Sequence, residues 1–129
     1  MTRVTGIGGV FLRAKDQARL SEWYRTHLDI DAGEWGKTFQ WDAPQGDAEP
    51  GCTTWSIFKP ESPYFPLAQR VMINYRVADL HALVAALRAE GCDVDEKTED
   101  TDFGKFGWVT DPEGNRIELW EPPSKRSAG

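Results

Sequence analysis

One carboxylate sits inside an apolar strand near the C-terminus. The stretch DPEGNRIELWEPP, residues 111 to 123, reads as a Pro-Glu-Gly-Asn turn, a short strand and a proline stop, with Glu118 between Ile117 and Leu119. An unpaired carboxylate in a partly apolar cavity has its pKa raised and can serve as a general base; paired with an arginine it is structural. Two arginines, Arg13 and Arg76, fall near the ends of alternating segments and have the fork geometry to hold a ligand carboxylate or phosphate. The competing assignment pairs them inside the protein with Asp16, Asp79 or Glu118.

Other reactive side chains offer less. His27 and His81 fall inside helical patterns and read as exposed helix residues. Cys52 and Cys92 are isolated, with no CxxC and no nearby pair of histidines, so they read as reduced thiols and not as a zinc or redox site. Six tryptophans in 129 residues are a costly way to fill a core, since each carries an N–H that needs a partner when buried, and a binding cavity would use them well.

Bulk properties narrow the partners. The formal charge of −6, with Lys and Arg unclustered before residues 125 and 126, argues against a nucleic-acid backbone. No apolar run approaches the ~20 residues of a membrane span, and the N-terminus lacks a secretory h-region with a cleavage site, which implies a cytoplasmic protein. A chain of 129 residues, 40% hydrophobic, is the size of one domain.

The elements that must position these residues come in two copies. Helical periodicity marks residues 16 to 28, with Leu20, Trp23, Tyr24 and Leu28 on one stripe, and residues 79 to 91, with Leu80, Leu83, Val84 and Leu87. Asp16 and Asp79 suit N-capping, and Gly91 suits a helix stop. An alternating strand precedes each helix, at 8 to 14 and 71 to 77. An offset of 63 superposes Arg13 on Arg76, Asp16 on Asp79 and Leu20 on Leu83; an offset of 62 superposes WSIFKPES (55 to 62) on IELWEPPS (117 to 124). Two further strands fit in each half, about 33 to 36 and KTFQW at 37 to 41 in the first, DVDEKT and KFGWVT in the second. The expectation is α+β: two βαβββ modules, about 4–62 and 70–122 with a linker at 63–69, forming a curved mixed sheet with helices outside and a concave inner face that holds a ligand.

The βαβββ repeat, WYRTHL in the first helix and the D-P-x-G-N-x-x-E-L-W-E-P stretch resemble the vicinal oxygen chelate superfamily, which includes glyoxalase I, extradiol dioxygenases and bleomycin-resistance proteins. The resemblance spans residues 4 to 122. It implies one divalent metal held by the first and last strands of each half, and it places the four ligand positions on Gly9, Ser56, Met72 and Glu118. A divalent ion needs about three oxygen or nitrogen ligands; glycine offers none and a thioether suits soft ions. Glu118 is the single position that keeps a ligand, so a divalent metal is disfavoured and no cofactor is expected, though the loop DAPQGDAEPG remains an alternative source of ligands.

Period-two alternation then assigns Phe11, Arg13, Ser56, Phe58, Met72, Asn74, Arg76, Glu118 and Trp120 to the inner face, and Ile117 and Leu119 to the helix side. Trp41 and Trp108, with Phe39 and Phe106, come from middle strands whose parity is open. This lining suits a small organic, partly aromatic ligand. Three functions are consistent with it: a metal-free binding protein of the bleomycin-resistance type, a lyase, isomerase or dioxygenase-like enzyme with Glu118 as base or metal ligand, and an interaction module. A homodimer fits all three.

Overall fold

The computed structural model describes residues 3–31, 33, 36–41 and 51–123. Eight strands and two helices make an α+β fold of mixed sheet: β1 (Val4–Arg13), α1 (Gln17–Leu28), β2 (Lys37–Trp41), β3 (Gly51–Phe58), β4 (Val71–Val77), α2 (Leu80–Ala89), β5 (Asp93–Val94), β6 (Glu99–Thr101), β7 (Gly104–Thr110) and β8 (Arg116–Glu121). The chain divides into two compact units, Ile7–Ile73 and Asn74 onward together with the residues through Gly6.

In the first unit β2 pairs antiparallel with β3, from Lys37 opposite Trp55 to Trp41 opposite Gly51, and β3 runs parallel to β1, from Gly9 opposite Thr54 to Arg13 opposite Phe58. The Asp16 carboxylate accepts the Arg19 N–H at 3.1 Å and starts α1. That helix is an exception to its stripe: Leu20 and Tyr24 are half-buried, but Trp23 and Leu28 are 50% and 55% exposed. The Trp23 ring lies instead against Tyr24 and His27 of its own helix. Tyr24 reaches the sheet through Trp55, with ring centres 4.8 Å apart. Of the strand expected at 33 to 36, an isolated bridge joins Gly33 to Gly36; residues 34 and 35, the loop at 42–50 and Ser124 lie outside the described residues.

The second unit repeats the plan. β7 pairs antiparallel with β8, and β8 runs parallel to β4, with Asn74 opposite Glu118 and Arg76 opposite Trp120. Asp79 caps α2 through the Ala82 N–H at 3.1 Å, and Gly91, at φ +83°, turns the chain out of the helix. Leu80, Leu83 and Val84 of α2 bury against Val77 and Leu119, with Tyr75, Val109 and Ile117 around them. The expected strand DVDEKT is shorter than its pattern. β5 stops at Val94 because the Asp95 carboxylate takes the Lys97 N–H at 3.3 Å, and Arg88 claims the carbonyls of Asp95 and Glu96. The chain then adds a strand the pattern did not indicate, β6, paired with β7.

Candidate functional site

In the second unit the register of three strands brings a polar row into the interior. Trp108 on β7 and Asn74 on β4 stand directly opposite Glu118 of β8, one on each side, and all three are buried. Taking a carboxylate out of water is unfavourable unless its oxygens find donors. Here the Asn74 Nδ2 donates to one Glu118 oxygen at 2.6 Å and the Trp108 indole N–H donates to the other at 3.1 Å. An amide and an indole thus each satisfy one oxygen of the carboxylate. Trp108, of open parity in the sequence, therefore shares the face of Glu118, and Phe106, opposite Trp120, does too.

Charged side chains pack against that row. The Arg116 guanidinium lies 5.3 Å from the Trp108 ring centre and its Nη1 is 3.1 Å from the Asp95 carboxylate. The Lys97 backbone N–H first, and the Arg116 guanidinium with it, hold the Asp95 carboxyl below its ordinary range. Arg76 is 7% exposed on the same face, and Trp120 is anchored by its indole N–H to the Phe103 carbonyl at 2.8 Å. Neither Asp95 nor Arg116 was foreseen as part of this site.

In the first unit Phe11, Ser56 and Phe58 share one face, as their pairing requires: Phe11 stands opposite Ser56, and Arg13 opposite Phe58. Phe58 is the hub of an aromatic cluster, 5.2 Å from Phe11, 5.5 Å from Phe65 and 5.8 Å from Tyr64. Trp41 departs from that face. Its partner Gly51 and the alternation of β3 put it on the side of Thr53 and Trp55, where its indole N–H bonds the Thr53 hydroxyl at 3.0 Å and its ring covers Gly51, leaving no room there for a side chain. Arg13 also departs from its expected role. Its guanidinium is spent on six main-chain carbonyls between Lys59 and Gln69, at 2.7 to 3.4 Å, instead of on a carboxylate.

A cleft of about 470 Å³ opens beside this face. Ser56, Ile57 and Phe58 of β3 with Gln17 of α1 form one wall, and Lys59, Glu61, Ser62 and Pro63 form the other. A second hollow of about 420 Å³ shares Gln17, Ser56, Ile57 and Lys59 and extends past Ser21 to Gly33 and Gly36. Ser56 and Phe58 were expected as lining; the 59–63 segment was not, because loop residues carry no periodicity to reveal which way they face, and Gln17 was not, because it belongs to a helix expected outside the sheet.

The four positions that the resemblance assigns to metal ligands can be tested one by one. The space where a Gly9 side chain would start lies 2.9 Å from the Phe11 ring, so a larger ligating side chain there would meet that ring. Met72 is fully buried and presents a thioether, Ser56 a neutral hydroxyl, and both Glu118 oxygens already accept N–H donors. Among the described residues no three His, Cys, Asp or Glu side chains gather to hold a metal ion. Taken singly, Gly9, Ser56 and Met72 offer a hard divalent ion neither a carboxylate oxygen nor an imidazole nitrogen.

Two copies of a strand–helix–strands plan, each with its last strand paired parallel to its first, are consistent with the vicinal oxygen chelate fold. The chain matches the Glyoxalase-like domain model over residues 9–120 and belongs to that family. Solved structures of similar fold include methylmalonyl-CoA epimerase from Mycobacterium tuberculosis, 23% identical, TM-score 0.65, covering 100% of this chain and 95% of the other. A Streptomyces coelicolor methylmalonyl-CoA epimerase variant is 17% identical, TM-score 0.67, with 94% and 99% covered. A glyoxalase/bleomycin resistance protein/dioxygenase superfamily member from Vibrio splendidus is 13% identical, TM-score 0.56, with 91% and 98% covered. No curated protein matches the sequence. No described helix is long and apolar enough to cross a membrane.

Proposed function

We propose that this chain is a small-molecule-binding member of the Glyoxalase-like family that takes a small organic, partly aromatic ligand without the divalent metal used elsewhere in the superfamily. The observation that carries the reading is the cleft of about 470 Å³ beside Ser56 and Phe58, which falls in the size range of small-ligand sites. Its lining joins an aromatic ring and aliphatic surface to an amide, two hydroxyls and two charges, a combination that orients a planar apolar body by a few polar contacts. Intrinsic tryptophan fluorescence against a panel of aromatic acids, amides and phenols tests it. Saturable quenching by at least one compound is expected, and a flat response across the panel removes the reading. Elemental analysis of the purified protein tests the metal-free part: one equivalent of a transition metal per chain overturns it.

The second reading keeps Glu118 as the base of a lyase or isomerase. In its favour is a carboxylate that neighbouring N–H groups hold in one orientation, as a positioned base requires. Against it, both oxygens already have donors. If any turnover is found, Glu118→Gln separates the two readings, since unchanged turnover in that variant takes Glu118 out of the chemistry.

A further inference from the structure

The segment Lys59–Gln69, KPESPYFPLAQ, has proline at every third position, 60, 63 and 66. Each proline keeps its carbonyl and loses its N–H, so the segment has more acceptors than donors. Within it main-chain bonds close from the Ser62 N–H to the Lys59 carbonyl at 3.2 Å and from the Gln69 N–H to the Pro66 carbonyl at 2.9 Å.

One side chain supplies the deficit. Arg13 Nε donates to the Gln69 carbonyl at 3.1 Å; Nη1 reaches the carbonyls of Lys59, Pro60 and Ser62 at 3.4, 2.8 and 3.0 Å; Nη2 reaches those of Phe65 and Pro66 at 2.7 and 3.2 Å. A guanidinium has five N–H donors in a fixed plane, and here the plane is ringed by carbonyls. The Phe65 ring lies 4.5 Å from the guanidinium carbon. The main chain at Arg13 fastens the segment's ends, with Arg13 N–H on the Arg70 carbonyl at 2.8 Å and Ala14 N–H on the Phe58 carbonyl at 3.0 Å.

The clamped segment is a wall of the cleft: Lys59, Glu61, Ser62 and Pro63 are four of its eight lining residues. We propose that Arg13 is the positioning residue of the ligand cleft. Its guanidinium sets the conformation of residues 59–69 before any ligand arrives, so binding does not have to order that wall. The inference rests on the reading of the cleft as the ligand site. A lysine at this position keeps the charge but brings one compact ammonium with three donors, too few and too closely spaced to span six carbonyls.

The test uses the full chain, 2-naphthoate as a planar apolar probe with one polar group, and the variants Arg13→Lys and Arg13→Ala, each studied below its own melting temperature. Two quantities are read: affinity for 2-naphthoate, and the rate of chymotrypsin cleavage after Tyr64 and Leu67. Those side chains are 40% and 65% exposed, so the rigidity of the segment and not access limits cutting. Arg13→Lys is expected to weaken binding about tenfold and to speed cleavage about tenfold. Ethylguanidinium added to Arg13→Ala is expected to restore both, and ethylammonium neither. Cleavage in Arg13→Lys at the rate of the unsubstituted chain overturns the positioning role. Failure of the unsubstituted chain to bind 2-naphthoate counts against the cleft as the ligand site, and the cleavage rates then still decide the role of Arg13. Should neither variant fold, NMR of the unsubstituted chain decides: separately resolved, slowly exchanging Nη protons of Arg13 support the clamp, and an averaged, fast-exchanging guanidinium overturns it.

Discussion

The two units are built to one plan and closed by different chemistry. In the second, α2 buries Leu80, Leu83 and Val84 into an aliphatic core, and the face of the sheet away from that helix carries a buried row in which Asn74 and Trp108 satisfy Glu118. In the first, α1 buries none of its residues, and order comes from aromatic contacts around Phe58 and from the carbonyl ring around Arg13. The two clefts described above lie in this first unit. A duplicated module can thus keep an aliphatic helix–sheet core in one copy while the other is held by aromatic contacts and a buried guanidinium.

Truncating the two equivalent helices should break the symmetry most clearly. Leu80, fully buried, is expected to lose about 2 to 5 kcal/mol on replacement by alanine, through lost transfer energy and the cavity left behind. Leu20, half-buried on α1, should lose under about 1.5 kcal/mol in the same change. Urea denaturation measures both; equal losses would mean that α1 carries as much of the fold as α2.

The polar row gives a smaller effect of a different kind. Glu118→Gln keeps the shape but replaces a two-acceptor carboxylate by one acceptor and an NH2, which either faces the Trp108 indole N–H or obliges the Asn74 amide to turn its Oδ1 inward. The expected loss is about 1 to 3 kcal/mol, with the fold intact by circular dichroism. Ser56→Ala, at the equivalent position of the first unit, should cost less than half of that, because a half-buried hydroxyl has less to lose than a buried carboxylate. Similar losses at the two positions would argue that Glu118 is less desolvated than its burial implies.

The repeat was legible because it is written in spacing. The offsets 63 and 62 take Phe11 to Asn74 and Ser56 to Glu118, and the structure pairs Phe11 with Ser56 and Asn74 with Glu118 in the same parallel register. Period two placed Leu119 and Ile117 against the helix and Glu118 on the opposite face. Partners that depend on chain folding far from the residue were not legible. Arg13 finds its carbonyls 46 to 56 residues away, and the pattern of prolines at 60, 63 and 66 was the one signal that a donor would be needed there. The parity of Trp41 stayed open because a strand preceded by an irregular segment gives no anchor for it; the pairing with Gly51 fixes it. The stripe on α1 misled because amphipathic spacing records which residues share a face and not how far that face is covered.

The smallest expected effect is on pH dependence, and it belongs to the second unit. Three of its carboxylates have lowered pKa values: Asp95, held chiefly by the Lys97 backbone N–H; Asp111, held chiefly by the Asn115 backbone N–H; and Glu90, held chiefly by the hydrogen bond from Arg3. A carboxyl that ionises more readily folded than unfolded stabilises the fold fully above its unfolded value, about 3.9 for Asp and 4.3 for Glu, and that contribution disappears as pH falls through the folded value. These groups therefore leave the urea midpoint flat above about pH 5 and lower it progressively below about pH 4. Asp111→Asn should make the acid-side decline shallower, because one proton-linked group is gone and the turn keeps an amide acceptor at the same place. Hydrogen-exchange rates of α2 and β8 followed from pH 5 to pH 3 localise the effect: protection should fall there as the carboxylates protonate, and protection that persists to pH 3 would place the acid sensitivity elsewhere.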